Sequence, residues 1–182
     1  MRRLVLLAAL PLAACASGYR PVSDDPVRIG NPYAVRGRSY VPAADPTYDM
    51  LGYASWYGNE SGKRTANGER FRARWLTAAH RTLPLPTYVE VTALATGRRL
   101  VVRINDRGPF AGGDSRILDL SRGAAASLGL TAASPAAVRV RIVEPSEKDR
   151  RRLRAGKPAA PLAPVAEPIL QNLRAQLDGG RS

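Results

Sequence analysis

The stretch from Thr87 to Asp106, TYVEVTALATGRRLVVRIND, constrains the fold of this chain more than any other. Tyr88, Val89, Val91 and Leu94 are interleaved with Glu90 and Thr92, the near-two period of a β-strand. Ala95-Thr96-Gly97 then supplies a hairpin-like turn into a second run, Arg98 to Asp106. The same texture extends from Leu51 to Val143. YASWYG (53–58), SRILDLS (115–121) and AAVRVRIVE (136–144) read as strands, and TANGERF (65–71) reads as a turn around Asn67-Gly68. RGAAASLGL (122–130) is the exception: it is Ala-rich, opens after Ser121 as an N-cap and stops at Gly129, so it predicts a short helix. Several short strands with one or two helical turns predict an all-β fold, a small barrel.

The flanks have a different composition. MRRLVLLAALPLAAC has a basic start (Arg2, Arg3), an apolar run from Leu4 to Leu12 and small residues before Cys15. This is the pattern of a secretory signal, too short to span a bilayer as a mature helix. Leu12-Ala13-Ala14-Cys15 has the form of a bacterial lipobox, and Cys15 is the only cysteine, so a disulfide within the chain is excluded. The expectation is a signal peptide over residues 1–14 and an acylated Cys15 that anchors the chain in a membrane. Residues 16 to 49 are rich in Pro, Gly, Ser, Tyr and Asp and read as an extended, flexible tether. After Glu144 the chain is charged and Pro/Ala-rich and reads as a flexible tail, with a weak helix from Ile169 to Leu177.

Charge narrows the partners. The chain carries 28 Lys/Arg against 15 Asp/Glu, a formal net charge of +13. Between residues 50 and 143 the balance is 14 against 6, so the folded part is itself basic. Nucleic acid, anionic lipid and an acidic wall polymer all fit such a balance. An exported chain meets wall polymer first, and no zinc-finger spacing or RNA-binding signature is present, so no nucleic-acid partner is expected.

Metal chemistry is not expected either, because there is one His and the single Cys is assigned to the lipid. No Gly-rich phosphate loop appears, and no Ser sits in a G-x-S-x-G elbow. No cofactor is implied. What remains is carboxylate chemistry. Glu90 falls on the polar face of an alternating strand and reads as solvated; Asp114 reads as a loop acid; Asp119 reads as a helix cap or the partner of an Arg. Asp106 and Glu69 stand out because each adjoins a turn beside a strand, where sites tend to lie. Asp106 is equally explained as a turn-former, and His80 as a structural histidine.

GYASWYG, TANGERF, LTAAHRTLPLPTYVEVTALATGRRLVVRINDRGPF and RILDLSRGAAASLGL follow one another at close spacing. Together they resemble the RlpA (rare lipoprotein A) family, from about Gly52 to Val143. The resemblance implies a six-stranded double-psi β-barrel over residues 50–144, between a lipidated Cys and tether (15–49) and a tail (145–182). It implies a groove for peptidoglycan and an endolytic lytic transglycosylase, a lyase acting on polysaccharide. Such enzymes cleave the MurNAc–GlcNAc β-1,4 bond of peptide-poor strands without water, leaving 1,6-anhydro-MurNAc ends, in wall remodelling and daughter-cell separation. Carried over by position, the resemblance makes Asp106, His80 and Glu69 catalytic. Asp106 is the candidate proton donor and acceptor, and must hold a proton near neutral pH against Arg103 and Arg107. His80 is expected to orient Asp106 or stabilise developing charge, and Glu69 to be a second acid or a substrate ligand. Trp56, Tyr57 and Phe71 are candidate platforms for sugar rings, with core packing as the other reading, and Asn105 and Arg107 are candidate substrate contacts. A monomer is expected, and by resemblance to Gram-negative lipoproteins Ala16 after the cysteine places it in the outer membrane facing the periplasm.

Two departures from the family stand out. YGNESGKRT lacks the Phe-His pair that many relatives carry, and Glu144 to Ser182 is too short for their glycan-binding SPOR domain. The alternative function is a non-catalytic, expansin-like wall-binding lipoprotein.

Overall fold

The structure, a computed structural model, describes residues 18–58, 62–130 and 135–180. The expected signal peptide, lipobox and Cys15 lie outside the described residues. Eight strands and three helices follow in order: β1 (Tyr33–Val35), β2 (Arg38–Tyr40), β3 (Asp49–Tyr57), β4 (Thr77–Ala79), β5 (Thr87–Ala93), β6 (Arg99–Asp106), β7 (Arg116–Ser121), α1 (Arg122–Leu128), β8 (Ala136–Ile142), α2 (Glu147–Arg154) and α3 (Glu167–Gly179). β3 to β8 close into a barrel in the order β3-β7-β4-β6-β5-β8. β3 runs parallel to β7 and β4 parallel to β6, while the other four neighbours are antiparallel. Parallel neighbours need crossover connections, and two such parallel pairs within one six-stranded barrel give the expected double-psi fold.

Alternation builds the core. Val89, Val91, Val102, Ile104, Leu118, Leu120, Val138 and Val140 are fully buried inside the barrel. Each contributes roughly 1.5–3 kcal/mol on burial. α1 plugs one side with Ala124, Ala125 and Leu128. The Ser121 hydroxyl accepts from the Ala124 amide, and Gly129 ends the helix in a left-handed conformation, φ 74°, as the sequence predicts. Glu90 is a correction. It is buried rather than solvated, because Arg99 on β6 and Arg141 on β8 each grip it with two donors at 2.7–3.1 Å.

The N-terminal flank is largely irregular, the C-terminal flank is mostly helical (α2 and α3), and both lie against the barrel. Arg28 makes a two-residue bridge to Leu85. β1 and β2 form a hairpin whose Arg36-Gly37 turn has φ 53° and 77°, the left-handed pair that a tight hairpin requires. Asp24 pairs with Arg103 of the barrel and with Arg154 of α2. Leu153 of α2 joins the main core, while Leu170 and Leu173 of α3 bury against Leu94.

Candidate active site

Asp106 is the last residue of β6. Its Oδ1 accepts the backbone amides of Ala66 and Arg107, both at 2.8 Å. Oδ2 receives no hydrogen bond from the described residues. Burial raises the pKa of Asp106 above its ordinary value of 3.8, and the nearby charge of Asp119 adds to this; the two amides and the Arg107 cation oppose it, but burial is the larger effect. Arg103, expected to weaken the acid, instead turns its guanidinium to Glu69 and Asp24.

Strand register supplies a second carboxylate. Ala79 on β4 is opposite Asp106 on β6 and opposite Asp119 on β7. Strands lie about 4.8 Å apart, so the two acids flank β4 at roughly 10 Å between backbones. Asp119 Oδ1 accepts from Arg116 at 2.6 and 3.0 Å and from the Ser55 hydroxyl. Ser55 is its register partner on β3. Two residues along β3 comes Tyr57, whose buried hydroxyl has no partner among the described residues. Burial and both acids, Asp106 and Asp119, push its ionisation well above 10, so Tyr57 presents a neutral O–H in the field of the two carboxyls.

The other expected site residues are placed differently. Glu69 is not an open acid: it is 1% exposed, and its two oxygens take Arg103 twice (2.7 and 2.9 Å), Asn67 (3.0 Å) and Asn105 (3.0 Å). A buried carboxylate so filled has no room for substrate, but it ties Asn67, next to Ala66, to Asn105, next to Asp106. Asn105 is therefore a buried strut rather than a substrate contact. The His80 ring does not reach Asp106. Its Nδ1 accepts the amides of Thr82 (3.2 Å) and Leu83 (3.0 Å), which leaves the proton on Nε2 to donate to the Tyr48 hydroxyl at 3.0 Å. Burial, with Arg107 and Arg81, pushes its pKa down to about 3. Only the backbone joins it to Asp106, His80 N donating to Asp106 O at 3.1 Å.

Phe71 stacks on Tyr57 at 4.8 Å and is 9% exposed, so its ring supports Tyr57 rather than a sugar. Trp56 faces the opposite side of β3 from Ser55 and Tyr57 and packs on the core. Arg107 stays at the site, its guanidinium donating to the carbonyls of Leu83, His80 and Ile29. Asp119 is the residue that sequence reasoning missed. Its pairing with an Arg was expected and is found with Arg116, but the signal for the site was its register with Ser55 and Ala79, which needs the barrel's strand order. No group of metal-ligating side chains occurs among the described residues.

Comparison with known proteins identifies the family of this chain. Residues 49–142 match the protein family described as lytic transglycolase. The Endolytic peptidoglycan transglycosylase RlpA of Pseudomonas aeruginosa (strain UCBPP-PA14) is 49% identical over 117 residues, covering 63% of this chain and 34% of its own length. The Vibrio cholerae protein of the same name is 40% identical over 166 residues, covering 77% of this chain and 62% of its own. That of Rickettsia typhi is 36% identical over 170 residues, covering 81% and 52%. The chain thus spans from about a third to under two thirds of the length of these relatives.

Proposed function

The chain belongs to the lytic transglycolase family, and on that premise we propose that its barrel is an endolytic peptidoglycan transglycosylase. The substrate is the MurNAc–GlcNAc β-1,4 bond of peptide-poor glycan strands, and the product carries a 1,6-anhydro-MurNAc end. The observation that carries this reading is the Asp106 carboxyl. One oxygen is fixed by two amides, the other is uncommitted, and burial favours the protonated form.

The chemistry follows from that arrangement. Protonated Asp106 donates to the glycosidic oxygen as the bond to C1 breaks. The C6 hydroxyl of the same MurNAc closes on C1, and its proton passes to the Asp106 carboxylate, so the acid is regenerated and no water is consumed. Asp119, held by Arg116 and Ser55, supplies negative charge for the oxocarbenium-like transition state. Two carboxyls in unlike surroundings are a recurrent way to separate an acid from a charge stabiliser. The neutral Tyr57 O–H stays buried in the field of both carboxyls and acts as a positioning group. Glu69 and His80 act as positioning residues, fixing the 65–69 turn and the backbone around Asp106.

Incubating the protein with purified, peptide-stripped glycan and weighing the products tests the reading. We expect 1,6-anhydro ends from the wild type and none from Asp106→Asn. Binding without new ends across several glycans would instead establish the expansin-like alternative, which needs no proton on Asp106. We further propose that residues 1–14 are a signal peptide and that Cys15 is acylated, holding a monomer at the outer membrane facing the periplasm. Labelling with a palmitate analogue should mark the wild type and not Cys15→Ser. Label retained in Cys15→Ser would remove the anchor.

A further inference from the structure

A pocket of about 190 Å³ lies between the barrel and the N-terminal segment, lined by Arg28, Gly30, Ala66, Asn67, Leu85 and Arg107. Two of those residues, Ala66 and Arg107, are the ones whose amides hold Asp106 Oδ1. The outer wall is fixed in place: Arg28 and Leu85 exchange backbone hydrogen bonds of 2.8 Å in both directions. The pocket is therefore built, and two of its lining residues hold the reacting carboxyl.

Its charge is unbalanced. The other buried guanidinium near the site, Arg103, is matched by Glu69 and Asp24. Arg107 and Arg28 take part in none of the ion pairs among the described residues. Arg107 is half-buried, and its Nη1 and Nη2 donate only to neutral carbonyls. Its Nε–H and the second Nη2 hydrogen bond to no described residue, and a guanidinium has five donors in all. Arg28 is exposed at the rim and donates from its side chain to no described residue. With two arginines and no carboxylate among its lining residues, this small cavity suits an anion the size of a carboxylate.

Resting on the glycan reading above, we propose that this pocket takes the free lactyl carboxylate of a MurNAc residue beside the bond to be cleaved. A stem peptide converts that carboxylate to an amide, which removes the charge and adds bulk. The pocket therefore reads the absence of the peptide directly, and Arg28, from the segment before the family domain, helps set the preference for peptide-free strands. A carboxylate there also offsets Arg107, one of the groups that draw the Asp106 proton away.

The test uses the full chain with Asp106→Asn, so that binding is read without turnover, and a peptide-free GlcNAc–MurNAc tetrasaccharide. Titration calorimetry compares it with the same oligosaccharide carrying lactyl methylamides and with one carrying stem peptides. The acid should bind about tenfold more tightly than either, the scale of one charge-assisted hydrogen bond. Arg28→Gln, an exposed change, should shrink that difference while leaving methylamide affinity alone. Equal affinity for acid and methylamide, or a difference that Arg28→Gln leaves unchanged, overturns the subsite while leaving the glycan reading intact. Peptide-bearing strands that bind like the free acid would assign the pocket to a peptide carboxylate and overturn the lactyl assignment. No binding by any of the three would defeat the glycan reading itself, and the subsite with it.

Discussion

His80 and Asp106 share a backbone hydrogen bond, and burial moves their protons in opposite senses. Asp106 holds its proton more firmly than a free carboxyl, whereas His80 gives its second proton up. His80 has a folded pKa of about 3 against 6.5 for the free ring, so between those values the unfolded chain binds the extra proton. Its contribution to stability is present above about pH 6.5 and is lost as the pH falls toward 3. Thermal melts between pH 7 and pH 4 should therefore show a steeper decline for the wild type than for His80→Asn. Parallel declines would mean that the ring is not held neutral. Much of this was illegible in the sequence. Glu69 and Asp106 looked alike, each an acid at a turn; what separates them is Arg103, distant in sequence and delivered to Glu69 by the barrel. Asp119 in ILDLS looked like an ordinary paired acid, because its neighbours across the sheet lie on β3 and β4.

Among the elements, those with long alternation were readable: β3, β5, β6, β7 and β8 fall where the apolar period is near two, and α1 where its caps predict it. β4 was not. Thr77-Ala78-Ala79 is three residues long and mostly Ala, which carries little strand preference, yet it stands between the two acids. The β1–β2 hairpin was also missed, its strands being only three residues each. In the charged, Pro/Ala-rich tail, the weak helix read from Ile169 to Leu177 falls within α3, whereas α2 was missed. Past the end of α2, Gly156 has φ 73°, and a Cβ there would lie 2.4 Å from the Trp75 indole. Gly156→Ala should therefore cost about 1–3 kcal/mol in unfolding free energy and shift Trp fluorescence as α2 lifts. An unchanged melt and spectrum would mean that this helix does not rest on Trp75.

Across the whole molecule, position matters more than total charge. The sequence shows a basic barrel, and the structure shows where that charge is spent. Arg99, Arg103, Arg116 and Arg141 are paired with internal acids, while Arg28 and Arg107, which line one pocket, form no ion pair among the described residues. Affinity for peptide-free glycan should fall severalfold as salt rises from about 50 to about 300 mM, since the screening length shortens from above to below roughly 10 Å. A salt-independent affinity, measured by the same calorimetry, would show that the cations do not meet the polymer.

The proposed mechanism needs burial to raise the pKa of Asp106 despite the neighbouring Arg107, and carboxyl ¹³C NMR of the Asp106 side chain measures this directly. The titration midpoint should lie above 3.8 in the wild type and move down in Asp119→Asn, which removes the neighbouring negative charge. A midpoint at or below 3.8 would contradict this mechanism, because burial would then not favour the protonated form from which Asp106 gives its proton to the departing sugar.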